Sequence, residues 1–403
     1  MDHLTSLGLI LLFALLAGHL VRAVRVPEVT GYILAGIALG PSVLGWLSHD
    51  NLITMGVFSE VALGLILFSV GSVFEFGRFR KIGRQVILLT LAESACAAAV
   101  VGIGMLALGQ HWHVALLLAA IAIATAPAST LMVLREADSA GPLTDALMGI
   151  IAVNNLLCLT TFSLVAALID LFAPGESATF ADTLYRSGFQ LVWQLVGSVA
   201  LGYLVGLVLA GWSSQVTESG EILILLAGAI LLCVGVAHEL GLSPLVASLA
   251  VGATMVNVAE RSAHLFDALA STDPPFYAIF FVIAGAELDT SLVPAMGAVG
   301  LVYLVGRAAG KFIGARMASR YLRLPETVQR YLGYALLAQA GLAVGLTFAV
   351  NARFSAIAPA VTTVVLASVV IYEMLGPVSA RYAITRAGEV GLAKTVPDPM
   401  LLD

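Results

Sequence analysis

Charge is scarce in this sequence. Only 11% of its 403 residues are Asp, Glu, Lys or Arg, against about 25% in soluble globular domains, while 60% are hydrophobic and the mean hydropathy is +1.00. So few charges cannot cover a water-exposed globule, and a separate soluble domain is excluded. Cysteine is nearly absent too. Cys96, Cys158 and Cys233 all fall inside apolar runs, which argues against a disulfide framework or a metal site and leaves them as small packing residues. There is no phosphate-binding glycine loop, no nucleophile set beside a base and no basic nucleic-acid patch, so an enzyme, a cofactor and a nucleic-acid partner are not expected. The first apolar run, from about Leu4 to Leu20, lacks a basic leader and a small-residue cleavage site, and reads as a retained helix.

What the chain does have is a succession of apolar stretches of about 17 to 25 residues, the length that crosses a bilayer core. They predict an all-α integral membrane fold, one transporter domain over residues 1–403. Charge clusters and Pro/Gly turns divide it into about 13 transmembrane helices, starting near residues 4, 29, 52, 85, 113, 142, 187, 221, 244, 275, 292, 329 and 361. Basic residues test that division, because cytoplasmic loops collect Lys and Arg. Arg22 and Arg25, then Arg78, Arg80, Lys81 and Arg84, then Arg135, Arg261, Arg316, Arg320, Arg323 and Arg330 fall on alternate connections, and Arg381, Arg386 and Lys394 follow the last helix. The other side receives Arg186 and Arg353. The asymmetry predicts an outside N-terminus and a cytoplasmic C-terminus.

Two six-helix sets around an odd linker helix run in opposite senses, a plan common among transporters. The sequence divides accordingly into a first repeat at 1–185, a linker helix at 186–213 and a second repeat at 221–390. Spans five and twelve then correspond. In span five Pro127 removes a backbone donor, so the helix should kink or unwind, with Thr125, Ser129 and Thr130 offering hydroxyls beside the freed carbonyls. An ordinary proline kink is the plainer reading. Span twelve carries Gln339 followed by Gly341 and Gly345 at comparable depth.

Polar chemistry enters the membrane on six further spans. Arg307 and Lys311 sit one turn apart on one face of span eleven, where buried cations need partners, unless Lys311 snorkels to the surface. Asn154 and Asn155 interrupt span six; they are uncharged at every pH and serve either a site or interhelical packing. Glu60, Glu93, Glu287 and Glu373 lie at or near membrane depth as candidate proton carriers or structural ties. Glu93 lies on span four, the counterpart of span eleven, so an ion pair with Lys311 or Arg307 is expected.

The stretches Pro27 to Pro41, Glu60 to Gly71, Ala124 to Pro127, Phe280 to Gly285, Gly306 to Gly314 and Gln339 to Gly345 together resemble the cation:proton antiporter superfamily, in its second branch with the thirteen-helix sodium/proton antiporter plan. The resemblance covers nearly the whole chain. It implies crossed discontinuous helices five and twelve, a dimerisation domain beside a mobile core, and elevator-like movement. It further implies an ion site lined by Thr125, Asn154 and Asn155 with Arg307 or Lys311 as basic partner. A homodimer is expected, with Gly36-xxx-Gly40 as a close-packing signal, in a bacterial inner membrane. The chain ends at Asp403, and no soluble regulatory domain is expected. One departure matters. Family members usually carry Asp-Asp or Asn-Asp where this chain has Asn154-Asn155, and an amide binds Na+ or K+ through oxygen but exchanges no proton.

Four readings stay open. The first is Na+ or K+/proton antiport with the titrating group moved to Glu93 or Glu373. The second is an anion or organic-solute carrier drawn by Arg307 and Lys311. The third is a transport-silent or sensing relative, and the fourth an Asp-to-Asn engineered variant. The candidate ion or substrate site is Thr125, Ser129, Asn154, Asn155 and Gln339.

Overall fold

The computed structural model describes residues 3–24, 26–172, 189, 192–216, 218–259 and 262–394, and among them every regular element is a helix. In chain order these are α1 His3–Ala23, α2 Glu28–Leu39, α3 His49–Gly71, α4 Phe76–Ala107, α5 Trp112–Ile121, α6 Pro127–Glu136, α7 Pro142–Phe172, α8 Ser198–Ser213, α9 Ser219–Glu239, α10 Pro244–Val258, α11 Ser262–Ala286, α12 Gly297–Tyr321, α13 Glu326–Ala335, α14 Gly341–Arg353 and α15 Ala358–Ala387. Among the described residues eight helices are long and apolar enough to cross a membrane, and shorter apolar helices lie between them. The chain is a multi-pass membrane protein, because a helix is the element that satisfies its own backbone in hydrocarbon.

Two helix starts differ from the sequence reading. α4 begins at Phe76 rather than near residue 85, because a run such as Arg78 to Arg84 is a good helix former that carries the helix beyond its apolar part. α11 begins at Ser262 and continues through Pro274 and Pro275, where the prolines were expected to start it. The expected start near residue 187 lies outside the described residues; the described part opens with a π-helical turn, Trp193–Gly197, before α8. Arg25, Arg186 and Arg261 also lie outside them.

The helices group into two bundles. In one, α1 packs on α2, α2 on α11, and α10 on both α3 and α8; in the other, α4 packs on α12, α5 and α7, and α15 on α13, α14 and α6. Small residues set the closeness. On α12, a Cβ at Gly310 would stand 2.4 Å from Ala97 Cα and one at Gly314 2.5 Å from Glu93 Cα, so α4 and α12 touch backbone to backbone. This contact brings Glu93 to the face that carries Arg307 and Lys311. Gly36 has the same function inside the chain: its Cβ would fall 2.1 Å from Val282 O of α11. The Gly36-xxx-Gly40 spacing is therefore taken up by α11 and gives no support to a subunit interface.

The end of the chain ties the start of α7. Beyond α15, whose C-cap Gly388 is left-handed at φ 77°, Glu389 is 3% exposed. Its carboxylate accepts from Leu143 N (2.7 Å), Thr144 N (2.8 Å) and Thr144 Oγ1 (2.7 Å), capping the donors that an α-helix N-terminus leaves open. Glu389→Ala should lower stability by about 2 kcal/mol, read as a fall in the thermal midpoint in detergent, with Glu389→Gln falling less. An unchanged midpoint would show that the cap contributes nothing.

Candidate functional site

Two transmembrane segments are interrupted at mid-chain, and the interruptions meet. The first lies at residues 122–126, between α5 and α6, and Pro127 opens the second half-helix, where its missing N–H is no loss. The other lies at residues 336–340, between α13 and α14. Ala126 N donates to Ala338 O across them at 3.0 Å.

An α-helix leaves its last four carbonyls without internal partners, and at this depth water does not supply them. Side chains do. Gln339 Nε2 donates to Ile121 O (3.1 Å), Arg307 Nε to Ala122 O (3.1 Å), Lys311 Nζ to Ile123 O (2.7 Å) and Arg307 Nη2 to Ala124 O (2.6 Å). Arg307 also reaches the second break, with Nη1 on Leu337 O (2.7 Å) and Nη2 on Ala338 O (3.2 Å). One guanidinium thus holds both half-helix C-terminal ends, where the backbone dipoles favour a cation. Its Cζ lies 4.4 Å from the ring centroid of Tyr372 on α15.

Lys311 completes the network. Nζ lies 2.6 Å from Glu93 Oε2 and 2.9 Å from Thr125 Oγ1, and both charged side chains are 0% exposed. Lys311 is therefore buried and does not snorkel. The other carboxylate oxygen, Glu93 Oε1, accepts from Asn154 Nδ2 (2.8 Å) and Ser94 Oγ (2.9 Å). An amide at 154 suits this place, because it donates to a carboxylate that an Asp there would repel.

The structure thus brings Thr125, Asn154, Gln339, Arg307, Lys311 and Glu93 into one buried network. It leaves Asn155, Ser129, Glu373 and Glu60 outside. Asn155 turns the other way and lies among Leu67 of α3 and Val246 and Leu249 of α10. Ser129, in the first turn of α6, is buried with its hydroxyl unpartnered. Glu373 is 2% exposed on α15, with neither carboxylate oxygen hydrogen-bonded. It lines a cavity of about 250 Å³ with Ala340 and Gly341 of the second break. Glu60 is an exposed group near His238 at 3.7 Å, away from the network. Two tyrosines were missed by sequence reasoning: Tyr303, whose hydroxyl accepts from Gln339 Nε2 at 2.9 Å, and Tyr372 beneath Arg307. Tyr303, Arg307 and Lys311 repeat at four-residue spacing, so Tyr303 could have been found on the same helix face.

The cavity opens toward one end of α2. The cavity shares Glu287, Leu288, Asp289, Val344 and Leu366 with a wider recess of about 750 Å³ whose wall includes the exposed Pro41 and Ser42. At the opposite end of α2 the bundles touch where Glu28 N donates to Glu136 Oε2 of α6 at 2.9 Å, while within its own bundle the Glu28 carboxylate accepts from Tyr32 OH (2.9 Å) and pairs with Arg22.

Comparison with known proteins follows from this geometry. Residues 8–381 match the family described as sodium/hydrogen exchanger, transmembrane. The ammonium/H+ antiporter subunit AmhT of Alkalihalophilus pseudofirmus is 24% identical over 335 residues, covering 83% of each chain. The glutathione-regulated potassium-efflux system protein KefC of Cronobacter sakazakii is 27% identical over 318 residues, 77% of this chain and 49% of that one, so the chain spans about half the length of that relative. The sodium proton antiporter MjNhaP1 of Methanocaldococcus jannaschii shares the fold, with a TM-score of 0.73 at 17% identity over 98% of this chain and 97% of that one.

Breaking the Glu93–Lys311 pair from either side strands a buried charge. Glu93→Gln and Lys311→Met should each cost about 3–5 kcal/mol, while Glu93→Leu combined with Lys311→Met recovers most of the loss. Denaturation midpoints in mixed detergent measure this, and additive losses in the double variant would contradict the pair. Asn154→Asp should also destabilise, by setting a second carboxylate against Glu93.

Proposed function

The chain belongs to the sodium/hydrogen exchanger transmembrane family, and from that premise we propose that it exchanges a monovalent cation, Na+ or K+, for protons with a site whose Asn154–Asn155 pair carries no charge. It is a transporter and not an enzyme, as its antiporter relatives are. The observation that carries the proposal is the meeting of two helix breaks at one buried point, held open by Arg307, Lys311 and Gln339, beside a cavity that reaches the second of them. Discontinuous helices at mid-depth supply carbonyl and helix-end ligands for ions, the arrangement used where alternating access works around a fixed site.

The rest of the arrangement agrees. α2 packs on α11 and α3 on α10, an exchange of partners that supports two inverted repeats. The bundle of α4–α7 and α12–α15 carries the breaks and would be the moving body, with the other bundle as the stationary one. The distribution of basic residues supports an outside N-terminus, a cytoplasmic C-terminus and, by the bacterial relatives, an inner-membrane location. A homodimer remains part of the proposal on family grounds alone. The anion-carrier reading loses its basis, since Arg307 and Lys311 are 0% exposed and spend their donors on carbonyls, Thr125 and Glu93 rather than on a solute.

Proteoliposomes under an imposed pH gradient, offered Na+, K+, Li+, NH4+ and a panel of anions, test the function. The expected result is cation-dependent dissipation of the gradient by the wild-type chain, with no response to anions. Wild-type protein that moves nothing while Asn155→Asp exchanges Na+ for H+ would identify a lapsed or altered antiporter instead.

A further inference from the structure

Three carboxylates are buried among the described residues: Glu93, Glu373 and Glu389. Two are spoken for, Glu93 by Lys311, Asn154 and Ser94, and Glu389 by the amides that begin α7. Glu373 has no hydrogen-bond partner on either oxygen. An isolated charge in an apolar setting is costly, so such a group is neutral in one of two ways: with a proton on the oxygen, or with a cation beside it.

The surroundings choose the kind of ligand. α2 and α3 contribute Ile33 and Ser59 to the cavity wall, α14 contributes its first turn, and the charged side chains lining it are Glu287, Asp289 and Glu373. No Lys or Arg lines it. Arg307, which packs on the neighbouring Tyr372, directs its donors to the two helix breaks. Glu287 and Asp289 are exposed at the mouth, where the cavity meets the wider recess. Glu373 also adjoins the second break: three residues on, a Cβ at Gly376 would lie 2.6 Å from Ala338 Cα, so α15 lies directly against residues 336–340.

We propose that Glu373 is the residue at which this protein trades a proton for a monovalent cation, with Glu287 and Asp289 drawing the cation into the cavity. The inference rests on the antiport reading and adds its site and stoichiometry. As the cation enters, the Glu373 O–H bond breaks, the proton leaves to water in the cavity, and the carboxylate so formed holds the cation. On the other face the cation leaves and a proton from water returns. One positive charge replaces another at each step. Asn154 and Asn155 add no titrating group and Glu93 stays paired with Lys311, so exchange is one for one and electroneutral.

Proteoliposomes reconstituted with wild-type chain, Glu373→Gln and the Glu287→Gln/Asp289→Asn pair test this with Na+ and K+. Wild-type exchange should be unaffected by an imposed membrane potential. Glu373→Gln, close in shape, should fall to the rate of empty liposomes, and the mouth variant should need several-fold more cation for half-maximal rate. Exchange by Glu373→Gln at the wild-type rate would overturn the site, and wild-type exchange driven by potential alone would overturn the one-for-one stoichiometry, both leaving antiport standing; a wild-type chain without any exchange would overturn antiport as well. Should Glu373→Gln fail to fold, dicyclohexylcarbodiimide labelling of the wild-type chain decides. Peptide mass mapping should find Glu373 modified and protected by Na+ or K+, and an unlabelled Glu373, or labelling indifferent to either cation, would overturn the proposal.

Discussion

A transmembrane helix that stops halfway exposes carbonyls where there is no water to receive them, and the centre of this protein is organised around that cost. Ile121 to Ala124 at the end of α5, and Leu337 and Ala338 beyond α13, are met by Gln339, Arg307 and Lys311. Each carbonyl left unmet would cost about 1–3 kcal/mol. The interruption is therefore conditional on α12 standing close behind it. α12 can do so because Gly310 and Gly314 let α4 approach to backbone contact. The same closeness supplies Glu93, without which Lys311 would be an uncompensated buried charge.

This division of labour explains a neutral amide pair in an ion-exchange fold. The two cations are used as backbone donors, and Glu93 neutralises one of them. Asn154 serves Glu93 as a donor, so its amide is matched to the carboxylate it faces. Asn155 turns toward α3 and α10, among apolar side chains. In the proposed scheme charge exchange is separated from the network that keeps the breaks open and falls to Glu373 on α15, whose carboxylate the network does not engage.

The all-helical, multi-pass fold was legible in the sequence, because apolar length reports directly on what a bilayer tolerates. Pro127 announced the first break through its missing donor. The second break has no proline; residues 336–340 are held open by Arg307 and Ala126, a tertiary cause with no local trace except Gly341 after it. Arg307 and Lys311 were visible as two cations one turn apart, whereas their choice of backbone carbonyls as partners was not. Gly36 shows the limit of a spacing rule, which predicts close approach without saying which helix comes near. Glu389 lies far in sequence from the amides it caps, so nothing local to it signalled that contact.

The account stands or falls on whether cation and proton compete for this chain as it is, with Asn154 and Asn155 in place. The direct measurement is proton release from purified wild-type protein in weakly buffered detergent solution as Na+ or K+ is added, followed with a pH dye. The account predicts saturable release of about one proton per chain, following the cation occupancy. Saturable cation binding detected by calorimetry with no proton released would contradict it.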